Sequence, residues 1–425
     1  MSANYNKTKI GNHALSPESL MMGYGYDPQL SEGSIKCPNF QTSTFVFKSA
    51  EDGENFFNIV SGRKQLNEGE TAGLVYSRFN NPNIEIAENR IAIWDGAEDC
   101  TITGSGMSAI SSMLLALAKP GDVIVYSEPI YGGTDTLLNG LLKQLGMIPV
   151  GFMSSEGTSA FEDAVNKAQS LGNVAVVMLE TPDNPTNNLL DIAACRAYLD
   201  KVCAEQAEKP VLAVDNTMLG PIWQKPLDHG ADLCMYSLTK YVGGHSDLVG
   251  GSVSGSKALV TKVRRVRNAI GTTMDSNTAW LILRSLETLK VRVQAATEGA
   301  KQVVDFLKDH PLITRIDYPG LLSEDSPQYA IYQKQCKGAG STFSFEVKGG
   351  KEKAFSVLNN LKLVKLAVSL GGTESLAQHP AAMTHSGVPK DRRDEIGVTE
   401  GLIRISIGIE EPSDLIADLK QALEG

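Results

Sequence analysis

The chain has 425 residues, 42% apolar and 21% charged, with a formal net charge of −10 and six cysteines. That length accommodates two or three domains with a cleft between them. The acidic balance disfavours nucleic acid and anionic membrane surfaces as partners, and no apolar run approaches the ~18 residues of a membrane span.

The first segment, residues 1–75, is polar and loop-rich, and MSANYNKTKIGNHALSPESL lacks the apolar core of a signal peptide. Such a segment is expected to wrap around a neighbouring subunit. Cys37, Cys100, Cys195, Cys203, Cys234 and Cys336 form no CxxC pair. Reduced thiols in a cytoplasmic protein are therefore expected, not a disulfide framework or a zinc site.

Residues 76–285 alternate helices with short apolar strands. IEIAENRIAIWDG predicts a helix closed by Gly96, and SAISSMLLALA a helix opening just after Gly104-Ser105-Gly106. DVIVYSEP, MIPVGFM, VAVVMLETP, PVLAVDNT, ADLCMYSLTK and LVGGSVSG predict strands. DTLLNGLLKQLG, FEDAVNKAQS and IAACRAYLDKVCAEQ predict the helices between them. Near-continuous apolar strands with helices between them indicate a mostly parallel sheet covered on both faces, a large α/β domain. Residues 286–425 then read as a smaller α+β domain. A long helix over AWLILRSLETLKVRVQAATEGAKQVVDFLKDH bridges to it, and STFSFEV and LIRISIGI are its strands.

Several polar residues fall just past strand ends: Asp215 after VLAV, Lys240 after CMYSLT, and Glu180 and Asn184 after VVML. Alone, each reads as an N-cap, a turn residue or a solvated charge. In an open α/β sheet, however, the carboxyl ends of the strands are where ligands gather. The Gly106–Met107 turn opens a helix whose free N–H groups and dipole suit an anion. Ser237 and Thr239 add two hydroxyls; on an extended strand they face one side and Lys240 the other. Tyr131, beside two glycines in EPIYGGT, suits either stacking on a flat ligand or the core. His245 and Asp247 suit a metal by type, but a local hydrogen bond bracing the lysine loop is expected of them.

These residues sit in eight ordered motifs: YSRFNNPN, GSGMSAI, SEPIYGGT, ETPDNPT, AVDNT, SLTKYVGGHSD, AVSLGGTESLAQHPAAMTHS and GLIRISIGIE. From about residue 35 to the end the chain resembles the γ-family of fold-type I pyridoxal-phosphate enzymes of cysteine and methionine metabolism, nearest its methionine γ-lyases. The resemblance implies an aspartate aminotransferase-like fold and pyridoxal 5'-phosphate as cofactor. It makes Lys240 the lysine that carries the cofactor and moves protons, and Asp215 the partner of the protonated ring nitrogen. Gly106, Met107, Ser237 and Thr239 would hold the phosphate, with Tyr76 and Arg78 reaching the phosphate of the neighbouring subunit. Tyr131 would stack on the ring and protonate the leaving group. Glu180 and Asn184 would organise the surroundings of the ring oxygen, and Arg404 with Ser369 would hold the substrate carboxylate. A homotetramer built from dimers that share active sites follows.

The implied reaction is γ-elimination from a γ-substituted L-amino acid, giving a 2-oxo acid, ammonia and the released group. The same motifs are compatible with a canavanine γ-lyase, or with γ-replacement as in cystathionine γ-synthase or O-acetylhomoserine sulfhydrylase. Gly133 stands where methionine γ-lyases carry a cysteine, which is expected to widen the pocket. Val368 stands where cystathionine-cleaving relatives carry a glutamate, which argues against a cationic distal amino group on the substrate; the guanidine of canavanine would need an acidic residue elsewhere. KQLNEGETAG reads as an insertion near the active-site entrance.

Overall fold

The computed structural model describes residues 5–65 and 73–425. Most of the KQLNEGETAG insertion, residues 66–72, lies outside the described residues. A short hairpin, β1 (Lys9–Ile10) and β2 (His13–Ala14), precedes the two main sheets.

The larger sheet has seven strands: β3 (Asp99–Thr103), β4 (Val123–Glu128), β5 (Ile148–Met153), β6 (Val174–Glu180), β7 (Val211–Asp215), β8 (Leu233–Ser237) and β9 (Gly251–Gly255). Their order is β3-β9-β8-β7-β6-β4-β5. The β5–β4–β6–β7–β8 pairings are parallel, and β9 runs antiparallel to both its neighbours. The parallel strands β4, β6, β7 and β8 are mostly apolar because both faces are covered. Alternate residues go to opposite faces. Ile124, Met178, Ala213 and Met235 meet Ile110, Met113, Val260 and Val263 of the helices Gly106–Leu117 and Lys257–Ile270. Val125, Val177, Leu212 and Val214 face the other way, onto Phe161, Val165, Cys195 and Leu199 of the helices Gly157–Leu171 and Ile192–Val202.

The helix Pro82–Asp95 ends where expected, at Gly96 with φ +70°, a conformation that favours glycine. The single bridging helix is in fact two, Ser276–Leu286 and Leu289–Leu307. Arg292 accounts for the break: its guanidinium donates to Ser285 O at 2.9 Å and its Nε to Thr288 Oγ1 at 3.1 Å, fixing the turn between them. The second of these helices straddles two cores. Leu289 and Val293 pack with the large-sheet side, and Ala300, Val303, Val304 and Leu307 with the small sheet. That sheet has the order β10-β11-β14-β13-β12, from β10 (Ile313–Asp317), β11 (Thr342–Val347), β12 (Lys365–Leu366), β13 (Leu376–Gln378) and β14 (Leu402–Ser406).

The N-terminal segment divides. Leu20, Met21, Tyr26 and Cys37 are buried against the chain's own body. Further on, Val46, Phe57 and Val60 are left exposed.

Candidate active site

The carboxyl ends of β6, β7 and β8 open onto one cavity of about 300 Å³ between the two sheets. Glu180 and Asp215 are opposite each other in the β6–β7 register, so the two carboxylates stand side by side at the floor. Burial pushes both above the usual carboxylate range, Glu180 further because Asp215 lies beside it. Asp215 accepts from the Thr217 amide at 3.0 Å and its hydroxyl at 2.6 Å. Among the described residues no cation pairs with it. Glu180 accepts the Tyr131 amide at 2.7 Å and so fixes the loop that carries that ring.

Lys240 lines the same cavity and donates to Ser369 Oγ at 2.9 Å. Burial, and then the nearby Arg404 charge, lower its amine to about 8, within reach of the neutral form. The expectation that Lys240 faces away from Ser237 and Thr239 is not met. The strand stops at Ser237, and the Lys240 amide turns back to Ser237 O at 3.2 Å. Strand alternation no longer applies, and all three residues line one cavity. The loop beyond is held by Arg292, which donates to Tyr241 O at 3.0 Å and Val242 O at 3.3 Å. His245 bonds Gly243 O at 2.7 Å, the local brace expected of it, and no group of metal-ligating side chains occurs among the described residues.

At one end of the cavity the helix Gly106–Leu117 begins. Ser105 caps it, accepting the Ser108 amide at 3.0 Å, and the first intrahelical bond is Ala109 N–H to Ser105 O at 3.1 Å. The N–H groups of Gly106 and Met107 precede both bonds. A Cβ on Gly106 would sit 3.0 Å from Ser237 Cβ, so glycine keeps this end open. At the other end Arg404 is buried, lowered to about 10 by that burial. It donates to Ser369 O at 2.6 Å and Asn184 Oδ1 at 3.1 Å. Gln378, opposite Arg404 in the β13–β14 register, accepts from it at 3.0 Å once its amide oxygen faces the guanidinium. Val368 lines the rim, half-exposed.

Gly133, and the Tyr76 and Arg78 expected to serve a neighbouring subunit, do not line this cavity. A Cβ on Gly133 would be 2.7 Å from Tyr131 Cε1 and 2.9 Å from Met107 Sδ. Its missing side chain makes room for the Tyr131 ring and the Met107 thioether, and Gly133 borders an adjoining cleft instead of the lysine cavity. Tyr76 and Arg78 are also away from Lys240. Arg78 donates to Asn268 O at 2.7 Å and stacks 4.2 Å from the Phe79 ring centroid, in a separate cleft. Sequence reasoning missed Thr217, Gln378 and Thr384. Thr217 also accepts the Ser237 amide at 2.9 Å, tying β7 to the lysine turn.

These residues fit pyridoxal phosphate. Two free N–H groups and two hydroxyls suit its phosphate, a buried carboxylate without a cation suits its protonated ring nitrogen, and a neutral-accessible amine suits its aldehyde. Fold and cavity together define a pyridoxal-phosphate enzyme of the open α/β class. The chain belongs to the Cys/Met metabolism PLP-dependent enzyme family, whose model matches residues 18–424. It is 41% identical to L-methionine gamma-lyase of Fusobacterium nucleatum subsp. polymorphum, over 92% of this chain and 94% of that one. It is 35% identical to cystathionine gamma-lyase of Bacillus subtilis (strain 168), over 96% of this chain and all of the relative. The structure of cystathionine gamma synthase from Xanthomonas oryzae pv. oryzae in complex with cystathionine superimposes with a TM-score of 0.85 at 33% identity, covering 96% and 98% of the two chains.

Proposed function

We propose that this enzyme catalyses γ-elimination from a γ-substituted L-amino acid, yielding a 2-oxo acid, ammonia and the released γ-group. The observation that carries this reading is the chain Lys240–Ser369–Arg404, in which Ser369 accepts the amine through its hydroxyl and the guanidinium through its carbonyl. A substrate carboxylate seated on Arg404 brings its Cα beside the Lys240 amine. Pyridoxal phosphate, when bound, supplies an electron sink for charge developing at Cα.

The roles of the chain's own residues follow. Gly106, Met107, Ser237 and Thr239 hold the phosphate, and Asp215, fixed by Thr217, holds the ring-nitrogen proton. Lys240 takes the Cα proton as a neutral amine and carries protons onward to and from the neighbouring carbons. Tyr131, anchored through its amide by Glu180, covers the cofactor ring and gives its hydroxyl proton to the departing γ-atom. Asn184 and Gln378 hold the Arg404 guanidinium in its plane.

Among the described residues no cation of the same chain lines the phosphate seat. Lys240 and Arg404 are the cationic side chains lining the cavity among the described residues, and Arg404 is engaged at the opposite end. Tyr76 and Arg78 of a second subunit therefore complete the site, within a homotetramer of such dimers. We divide the chain at residues 75 and 285, and place it in the cytoplasm. No helix among the described residues is long and apolar enough to cross a membrane, and the six thiols are unpaired. Sedimentation showing a monomer, or fractionation showing an exported protein, would count against these assignments.

Incubation with methionine alone tests the reaction. Elimination gives 2-oxobutanoate, ammonia and a thiol without a second substrate. Product that appears only with both an acyl-homoserine and a thiol makes the enzyme a γ-replacement synthase and sinks this reading.

A further inference from the structure

A second cleft of about 720 Å³ meets the lysine cavity at Met107 and Thr384, which line both. Its walls are the helix Gly132–Thr136 on the large-sheet side and the segment from His385 to Ile396 on the small-sheet side. Acidic side chains face it from both the strand end and the helix. Glu128, at the carboxyl end of β4, is paired with Arg392, which also holds Glu395 at 2.7 Å. Asp135, by contrast, has no cation among the described residues. Its Oδ1 accepts from Asn139 Nδ2 at 2.8 Å, and the same amide reaches the Tyr126 hydroxyl at 3.1 Å. Tyr126 in turn donates to Glu128 Oε1 at 3.2 Å. The two carboxylates thus share one hydrogen-bonded floor. Burial chiefly, with Glu128 and Asp135 adding to it, pushes the Tyr126 hydroxyl up to about 12.

The remaining wall is uncharged and largely apolar, with Ile130, Val388 and Pro389, and His385 is a buried polar group in it. His385 is 4% exposed, and its Nδ1 lies 3.0 Å from Thr384 Oγ1. Its Nε2 has no hydrogen-bond partner. Burial, and then Arg404 and Arg393, lower this imidazole to about 4, so it is uncharged at neutral pH. The titratable groups lining the cleft are Glu128, Asp135, His385 and Arg392, and their charges sum to about −1. A buried imidazole nitrogen without a partner marks a place where a polar group is missing.

We propose that this cleft receives the far end of the γ-substituent and that Asp135 is a specificity-determining residue for substituents ending in a cation, such as an ammonium or guanidinium group. The proposal rests on the γ-elimination reading. A substrate held by its carboxylate at Arg404 and its amine near Lys240 sends a long γ-chain past Met107 and Thr384 into this space. There Asp135 meets the charge, with Glu128 and Arg392 as a neutralised pair beside it.

Two substrates of equal length separate charge from size, S-(2-aminoethyl)-L-homocysteine and S-propyl-L-homocysteine; their thiols differ in acidity, an effect that is the same in wild type and variant and cancels in the comparison between them. The readout is the ratio of their kcat/KM values for 2-oxobutanoate formation by the holoenzyme. Wild type is expected to favour the aminoethyl compound about tenfold or more, the scale of one charge-assisted hydrogen bond. Asp135→Asn lowers the ratio about tenfold relative to wild type, and Asp135→Glu retains most of the preference. A wild-type ratio near one, or a ratio unchanged in Asp135→Asn, overturns the proposal. If neither compound nor methionine yields 2-oxobutanoate, the elimination reading has failed instead.

Discussion

Lys240 shows how environment, not residue type, defines a functional side chain. Its amine is 2.9 Å from Ser369 Oγ, mostly buried, and lowered to about 8 by that burial and by Arg404. Only the neutral amine can accept a carbonyl compound. The neutral fraction grows with pH, so cofactor uptake by the cofactor-free protein should accelerate as pH rises through about 8. Stopped-flow absorbance against pH checks this; a midpoint in the ordinary lysine range, about 10.4, contradicts it. Such neighbours are only partly legible in a sequence. Lys240, Asp215 and Glu180 stand out because each follows an apolar strand. Gly133 is only partly legible: the Tyr131 ring and Met107 Sδ crowd the place of its absent side chain, and it borders the adjoining cleft, not the lysine cavity. Gln378 is invisible until strand register sets it opposite Arg404.

At the scale of elements, the site depends on one close approach, between β9 and the start of the helix Gly106–Leu117. A Cβ on Gly251 would lie 2.3 Å from Ser105 O, a backbone atom that cannot swing aside. Gly251→Ala should therefore push the helix start away from Ser237. A stability loss of about 1–3 kcal/mol and weaker cofactor retention are expected, measured by thermal unfolding and by absorbance after dialysis. Gly140→Ala, with nothing within 4 Å of its Cβ, serves as the unaffected control. Equal behaviour of the two variants would contradict the argument. The elements themselves were readable, because apolar runs bounded by glycine and proline mark strands covered on both faces. The two-helix break at Thr288 was not. It depends on Arg292 folding back on Ser285 and Thr288 of its own turn while it is held against the lysine loop at Tyr241, far away in sequence. The turn at Ser237 likewise ended an alternation that would have put Lys240 on the wrong face.

For the whole molecule, the central claim is that one active centre draws Lys240 from one subunit and Arg78 from another. Within a single chain Arg78 stacks on Phe79 in a cleft of its own, while the helix start at Gly106 meets no arginine among the described residues. Val46, Phe57 and Val60 lie uncovered on the N-terminal segment, where a neighbouring subunit would bury them. The sequence pointed to sharing through its resemblance to a family, since no local pattern shows which subunit a loop serves. The most direct measurement co-expresses Lys240→Ala and Arg78→Ala chains with different affinity tags, purifies the hybrid, and assays 2-oxobutanoate release. The Lys240→Ala protein alone should be inactive and the Arg78→Ala protein alone strongly impaired. The hybrid, which holds one centre with both residues intact, should regain activity that neither has. A hybrid no more active than the mean of the two single variants would contradict the shared centre.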